Sequence, residues 1–220
     1  MKNSIAILRA AVAATVLTLG AGAASAATLT FTEDLSSVFT TNNFGMGDPG
    51  VGIRSVSLGG ADSVFAFCID PLTGLDSNNN YSAGAASVTD GTKKLYESSY
   101  ASVIAGYKAN PSDLSGVAGF QLALWELQND DGDLSNGGLS FKGGLQNQAE
   151  VVAAQGFLTA AARYQLNTSS FNYTALTSAG AGTESQMLLT VTAVPEADTW
   201  AMLAAGLGLM GVVARRRKSA

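Results

Sequence analysis

Polar and apolar residues alternate with a period of two in the first third of the chain and switch to helical spacing in its middle. Thr28-Leu29-Thr30-Phe31-Thr32 alternates, Ser37–Thr40 is a second short candidate, and Val51–Leu58 alternates clearly. After a Gly59-Gly60 turn, Ser63-Val64-Phe65-Ala66-Phe67-Cys68-Ile69 has the aromatic and branched content of a strand, ended by Asp70-Pro71. Residues 72–89 are rich in Gly, Ser and Asn and read as loop. From Thr92 to Lys108, Leu95, Tyr96, Ser99, Val103, Ile104 and Tyr107 recur at helical spacing until Asn110-Pro111. Ser112 or Asp113 can cap the next helix, whose apolar positions Val117, Phe120, Leu124 and Leu127 run on to Asn129. A polar, Gly-rich loop over 130–144 precedes a third helix from Gln146 to Leu166. Strands return at Ser170–Tyr173 and Met187–Thr192. The expected class is α+β: a β-rich N-terminal part, a three-helix central segment and C-terminal strands, without internal repeats.

The two ends follow neither period. Lys2 and Arg9 precede an apolar, small-residue run from Ala10 to Ala23, and Ala24-Ser25-Ala26 fits the small-x-small pattern cut by signal peptidase, here before Ala27. At the other end, Val194-Pro195-Glu196 leads into an apolar run from Ala201 to Ala214 and a basic stop of Arg215, Arg216, Arg217 and Lys218. Such a run spans a bilayer only marginally, and four consecutive basic residues would hold that end in the cytoplasm. Three segments result: a signal peptide (1–26), an exported α+β domain (27–193) and a sorting tail with a transmembrane helix (194–220).

The tail resembles the PEP-CTERM sorting signal. The likeness rests on Val194-Pro195-Glu196, Trp200-Ala201-Met202-Leu203, Gly206-Leu207-Gly208-Leu209 and the basic cluster; Ala197 stands where that family usually has a second Pro. The resemblance implies recognition by an exosortase, a transient anchor in the inner membrane, removal of the tail, and release to the cell surface of a Gram-negative bacterium that makes exopolysaccharide.

Setting the ends aside sharpens the charge. Residues 27–195 keep six of the twelve basic residues and fifteen of the seventeen acids, a net charge of −9. That balance argues against nucleic acid and against an anionic membrane surface as partners. The chain has no histidine, which removes His-based triads, Cys–His dyads and most zinc sites. Cys68 is its single cysteine, so no intramolecular disulfide exists in a compartment that would permit one. A lone exported cysteine is a buried small hydrophobe, an intermolecular partner or a reactive group.

Two short motifs carry candidate chemistry. Phe67-Cys68-Ile69-Asp70 ends a strand, and Phe120-Gln121-Leu122-Ala123-Leu124-Trp125 lies inside an apolar helix. Gln121 is the odd residue there, since an amide on an apolar face needs hydrogen-bond partners or costs roughly 1–3 kcal/mol. Together the motifs are similar to those of the thioester domains of Gram-positive surface adhesins. The resemblance implies that Cys68 supplies the sulfur and Gln121 the carbonyl of an internal thioester, with Phe67, Ile69, Asp70, Phe120, Leu124 and Trp125 as supporting motif residues. Phe120 replaces the family's usual Thr. The competing reading is a buried free cysteine beside a locally bonded glutamine.

Other signals are weaker. Asp130-Asp131-Gly132-Asp133, with Asn136, offers oxygen ligands but lacks EF-hand spacing, and acidic Gly-rich loops are usually just solvated, so no metal and no cofactor is expected. Glu126 and Glu150 are scattered carboxylates that give a hydrolase little support. The expectation is a non-enzymatic adhesion or matrix protein that meets signal peptidase, an exosortase, and an exopolysaccharide or surface-protein target. The alternative is a non-covalent structural protein of a biofilm matrix with an inert cysteine.

Overall fold

In a computed structural model, residues 26–35, 39–41, 51–57, 63–71, 73–74, 81–141, 146–178, 185–194, 205–207 and 209–210 are described. Eight strands and three helical rods are present among them: β1 (Ala26–Leu35), β2 (Phe39–Thr41), β3 (Val51–Ser57), β4 (Ser63–Cys68), β5 (Tyr81–Ala85), α1 (Asp90–Leu95), α2 (Ala101–Ala109), α3 (Ser115–Asn129), β6 (Leu139–Phe141), α4 (Ala149–Arg163), β7 (Phe171–Ser178) and β8 (Leu188–Ala193). A π-helical turn, Tyr96–Tyr100, joins α1 to α2, so the first predicted helix is one rod with a changed pitch. The α+β class and the order strands–helices–strands hold.

Six strands close an antiparallel barrel in the order β1-β3-β4-β8-β7-β5, with β5 returning to β1. The helices enter between β5 and β7, and β2 pairs with β6 as a separate two-stranded sheet. Two stretches read as loop are corrected here. Residues 81–85 form β5, which links β7 to β1 and closes the barrel. Residues 139–141 form β6. The third helix is shorter than predicted, 149–163, because Gln148 and Tyr164 are already extended. The cap of α3 also differs. Leu114 occupies the N-cap position, and Asp113 Oδ1 accepts from the Ser115 N–H (3.1 Å) and hydroxyl (2.6 Å) one step earlier.

Helix α3 is the centre of the core. Its residues Val117 to Glu126 are all buried, as expected for a helix apolar on every side. It packs on α4, α1, α2, β3 and β4. Its approach to α4 is close because Gly119 has no side chain: a Cβ there would meet Ala153 Cβ at 2.6 Å and Glu150 O and Ala154 N at 2.8 Å.

The signal-peptide run, Ala24, Pro195, Glu196 and the basic stop Arg215–Lys218 lie outside the described residues. Ala26 begins β1, opposite Ser82. In the tail, residues 205–207 and 209–210 are helical, with Leu207, Leu209 and Met210 exposed. Among the described residues no helix is long and apolar enough to cross a membrane.

Gly119→Ala should lower stability by about 1–3 kcal/mol through overpacking against α4. Gly116→Ala, one turn earlier and with nothing near its added Cβ, should be neutral or stabilise by up to about 1 kcal/mol. Chemical denaturation of the two variants checks the contrast; equal effects would contradict the packing described.

Candidate functional site: the Cys68–Gln121 pair

The site is made where β4 loses a neighbour. Strand β3 pairs with β4 from Ser57 opposite Ser63 to Arg54 opposite Ala66, and then stops. Beyond Arg54, β3 continues on β1 alone, after a register shift between Phe31 and Glu33. On its other edge β4 stays paired with β8 through Cys68 opposite Leu188, and the Ile69 N–H donates to Met187 O at 3.0 Å. The backbone of Cys68 on the β3 side therefore needs another partner.

Gln121 supplies it. The Cys68 N–H donates to Gln121 Oε1 at 2.8 Å, and Gln121 Nε2 donates to Cys68 O at 2.6 Å. One side-chain amide thus does the work of a neighbouring strand. Gln121 is wholly buried and Cys68 is 6% exposed. The odd amide on the apolar helix is satisfied by the residue that carries the only sulfur nucleophile of the chain.

The sulfur has its own surroundings. Cys68 Sγ–H donates to Asp70 O at 3.1 Å, and the indole of Trp125 acts on the sulfur in the direction that favours the thiolate. Burial nevertheless dominates and pushes the thiol far above its ordinary pKa, so the free form is a protonated thiol at neutral pH. The other predicted motif residues converge here. Phe67 and Phe120 stand with ring centroids 4.9 Å apart, and Tyr96, Tyr100 and Phe157 extend the aromatic wall around Phe120. Ile69, Leu124 and Trp125 are buried, and the Asp70 carboxylate accepts from the Thr73 hydroxyl.

Sequence reasoning missed the residues that brace the segment after Cys68. Asn129 Nδ2 donates to Ile69 O at 3.0 Å, Gln186 Nε2 to Asp70 O at 3.1 Å, and the Tyr81 hydroxyl to Gln186 O at 3.2 Å. Asn129 was findable: it lies four residues after Trp125 and eight after Gln121, on one helix face. Gln186 gives no such signal.

A second polar cluster closes the end of α3. Glu126 is fully buried, although the sequence marks it only as a scattered acid. Burial, then the charges of Asp130 and Asp131, push its carboxyl up to about 8, which the Gly132 N–H offsets only in small part. The Asp130–Asp133 loop folds over this end, with Asp130 Oδ2 accepting from the Leu139 N–H at 2.6 Å.

Chemically, the arrangement puts a carbonyl carbon and a thiol on two buried, mutually hydrogen-bonded residues. The Cys68 N–H polarises the Gln121 carbonyl and would stabilise an oxyanion forming there. A thiol held within bonding distance of such a carbonyl would need no histidine, because proximity can supply much of the barrier reduction.

Comparisons with known proteins address the two parts of the chain separately. Residues 193–218 match the PEP-CTERM protein-sorting motif. The chain therefore carries a sorting signal that marks it for export to the cell surface and implies an exosortase as its processing enzyme. Among solved structures it is similar to the N-terminal domain of the Streptococcus pyogenes pilus tip adhesin Cpa, at 13% identity and TM-score 0.44, over 76% of this chain and 98% of that one. It is also similar to the N-terminal thioester domain of the fibronectin-binding protein SfbI from Streptococcus pyogenes, at 17% identity and TM-score 0.42, over 66% and 87% of the two chains. A third is the Bacillus anthracis TIE protein, at 10% identity and TM-score 0.42, over 78% and 39%. No curated protein sequence matches the chain significantly.

In a Cys68→Ala background, where the sulfur plays no part, Gln121→Leu should destabilise the protein by about 1–3 kcal/mol for each Cys-site backbone group left unpaired. Urea unfolding of the single and double variants measures this. A neutral Gln121→Leu would mean that the two hydrogen bonds do not hold the helix to the barrel.

Proposed function

We propose that this is an exosortase-processed surface adhesion or matrix protein whose Cys68 and Gln121 form an internal thioester for covalent attachment. The observation that carries this reading is the double hydrogen bond of the Gln121 amide to the Cys68 backbone in a buried site. In the reaction, the Cys68 sulfur bonds to the Gln121 side-chain carbonyl carbon and the carbon–nitrogen bond breaks. The thiol proton leaves with the amide nitrogen as ammonia. The thioester is an electrophile held among Phe67, Phe120 and Trp125, which keep water from it. An amine or hydroxyl on a surface protein or an exopolysaccharide then attacks the carbonyl, giving an amide or ester and freeing the thiol. Each chain reacts once, so the protein is a single-use cross-linker and not an enzyme. Export through signal peptidase and the sorting tail delivers that electrophile outside the cell.

A second reading is favoured by the high thiol pKa. In it the Gln121 amide only completes the edge of β4, Cys68 is inert, and the protein is a non-covalent component of a biofilm matrix.

Intact mass separates the two. The thioester predicts that the protein weighs one ammonia less than its sequence, a deficit that Cys68→Ala and Gln121→Ala both abolish. Denatured protein should resist thiol alkylation until methylamine is added, which restores the thiol and leaves its own mass on Gln121. Full mass, together with immediate alkylation on denaturation, would leave the inert-cysteine reading. Native alkylation is uninformative, because burial alone protects Cys68.

A further inference from the structure

Three carboxylates converge where α3 ends. Glu126, Asp130 and Asp131 each bring an oxygen within 4.8 Å of the other two. We propose that these three side chains bind a divalent hard cation of the calcium type, which closes the C-terminal end of α3 and fixes the loop that follows.

The buried member points to a ligand. Glu126 has no exposed surface, and neither carboxylate oxygen has a hydrogen-bond partner of ordinary geometry. A buried acid normally finds such a partner, so one that has no more than the nearby Gly132 N–H and faces two further acids is an incomplete arrangement. Asp130 is the C-cap residue of α3, so the cluster sits at the negative end of the helix, and no basic residue lies in the last turn to offset it. The Asp side chains are preset by the loop: Asp130 Oδ2 accepts from the Leu139 N–H and Asp131 Oδ1 from the Asp133 N–H at 2.8 Å, which leaves each a second oxygen outside those bonds. Gly132 and Gly137, at φ +85° and +79°, let the loop turn back, and a Cβ on Gly137 would meet Asp130 Oδ1 at 2.7 Å.

The donor set selects the ion. All three ligands are oxygens, with no sulfur or imidazole, which suits a hard cation. Oxygens that all lie within 4.8 Å of one another can share one ion, and an irregular loop-borne set suits calcium, at metal–oxygen distances of about 2.4 Å, better than magnesium, which needs about 2.1 Å and a strict octahedron. Calcium tolerates irregular coordination and fills its remaining positions with water.

The test uses full-length protein with calcium chloride, magnesium chloride or a chelator alone. Calcium should bind at one ion per chain in equilibrium dialysis and raise the thermal midpoint above that in chelator, with magnesium giving a smaller shift. Glu126→Gln and Asp131→Asn should each weaken calcium binding by at least about tenfold and remove most of the shift. In chelator, Glu126→Gln should melt no lower than the unaltered chain, because it removes an unpaired buried acid. Asp113→Asn, the same charge change at the opposite end of α3, should keep the full shift. Absence of stoichiometric calcium binding would overturn the proposal, as would equal loss in Asp113→Asn or full binding by both Glu126→Gln and Asp131→Asn.

Discussion

Two hydrogen bonds join helix α3 to the barrel where β4 has lost its β3 neighbour, and much of the surrounding structure can be understood as what permits them. A glutamine amide buried at the centre of an apolar helix is tolerable only if its donor and its acceptor are both used. A strand end buried beneath a helix is tolerable only if its N–H and C=O are used as well. Gln121 and Cys68 solve both problems at once, 2.8 and 2.6 Å apart. Because the match is geometric, α3 can neither slide nor roll against β4 without orphaning four polar groups.

Several features supply the required position. Gly119 lets α3 sink against α4, which sets its depth. The π-helical turn between α1 and α2 carries Tyr96 and Tyr100, and both lie against Phe120, the residue beside Gln121. The register shift in the β1–β3 ribbon coincides with the end of β3–β4 pairing, so a local irregularity in one strand pair creates the vacancy that the side-chain amide fills. These constraints are all packing or ladder constraints. The Cys68–Gln121 pairing is a by-product of how the layers meet, which is why it needs no histidine to be positioned.

Legibility in the sequence followed the strength of local patterns. The run Phe65-Ala66-Phe67-Cys68 and the uniformly apolar α3 announced themselves, and so did the oddity of Gln121 among its neighbours. The two motifs could be paired only through their likeness to a known family; spacing alone did not bring them together. Strand β5 was hidden because Ser82-Ala83-Gly84-Ala85 lacks branched and aromatic residues, and its pairing comes from β7 and β1 on either side. The π-helical turn was hidden because one extra residue in a turn barely disturbs a helical pattern seventeen residues long. Glu126 was misjudged for a different reason. Next to Trp125 it reads as the start of a polar face, and its burial is set by tertiary packing that no local rule anticipates.

The last two turns of α3 tie the two polar sites together. Gln121 holds Cys68, Trp125 one turn on acts on the sulfur, and Asn129 another turn on holds Ile69 O. Glu126 and the cap residue Asp130 lie on those same turns. The segment 68–70 is thus gripped at three points by a stretch of helix whose end carries three crowded acids. The Asp130 and Asp131 charges at the negative end of the helix act to fray it, and fraying would first release Asn129 and then Trp125 from the segment that bears the sulfur. A cation neutralising the cluster would oppose this without touching Cys68 or Gln121. Its effect would be to keep the aromatic wall closed and water out, which is the condition the proposed thioester would depend on to survive.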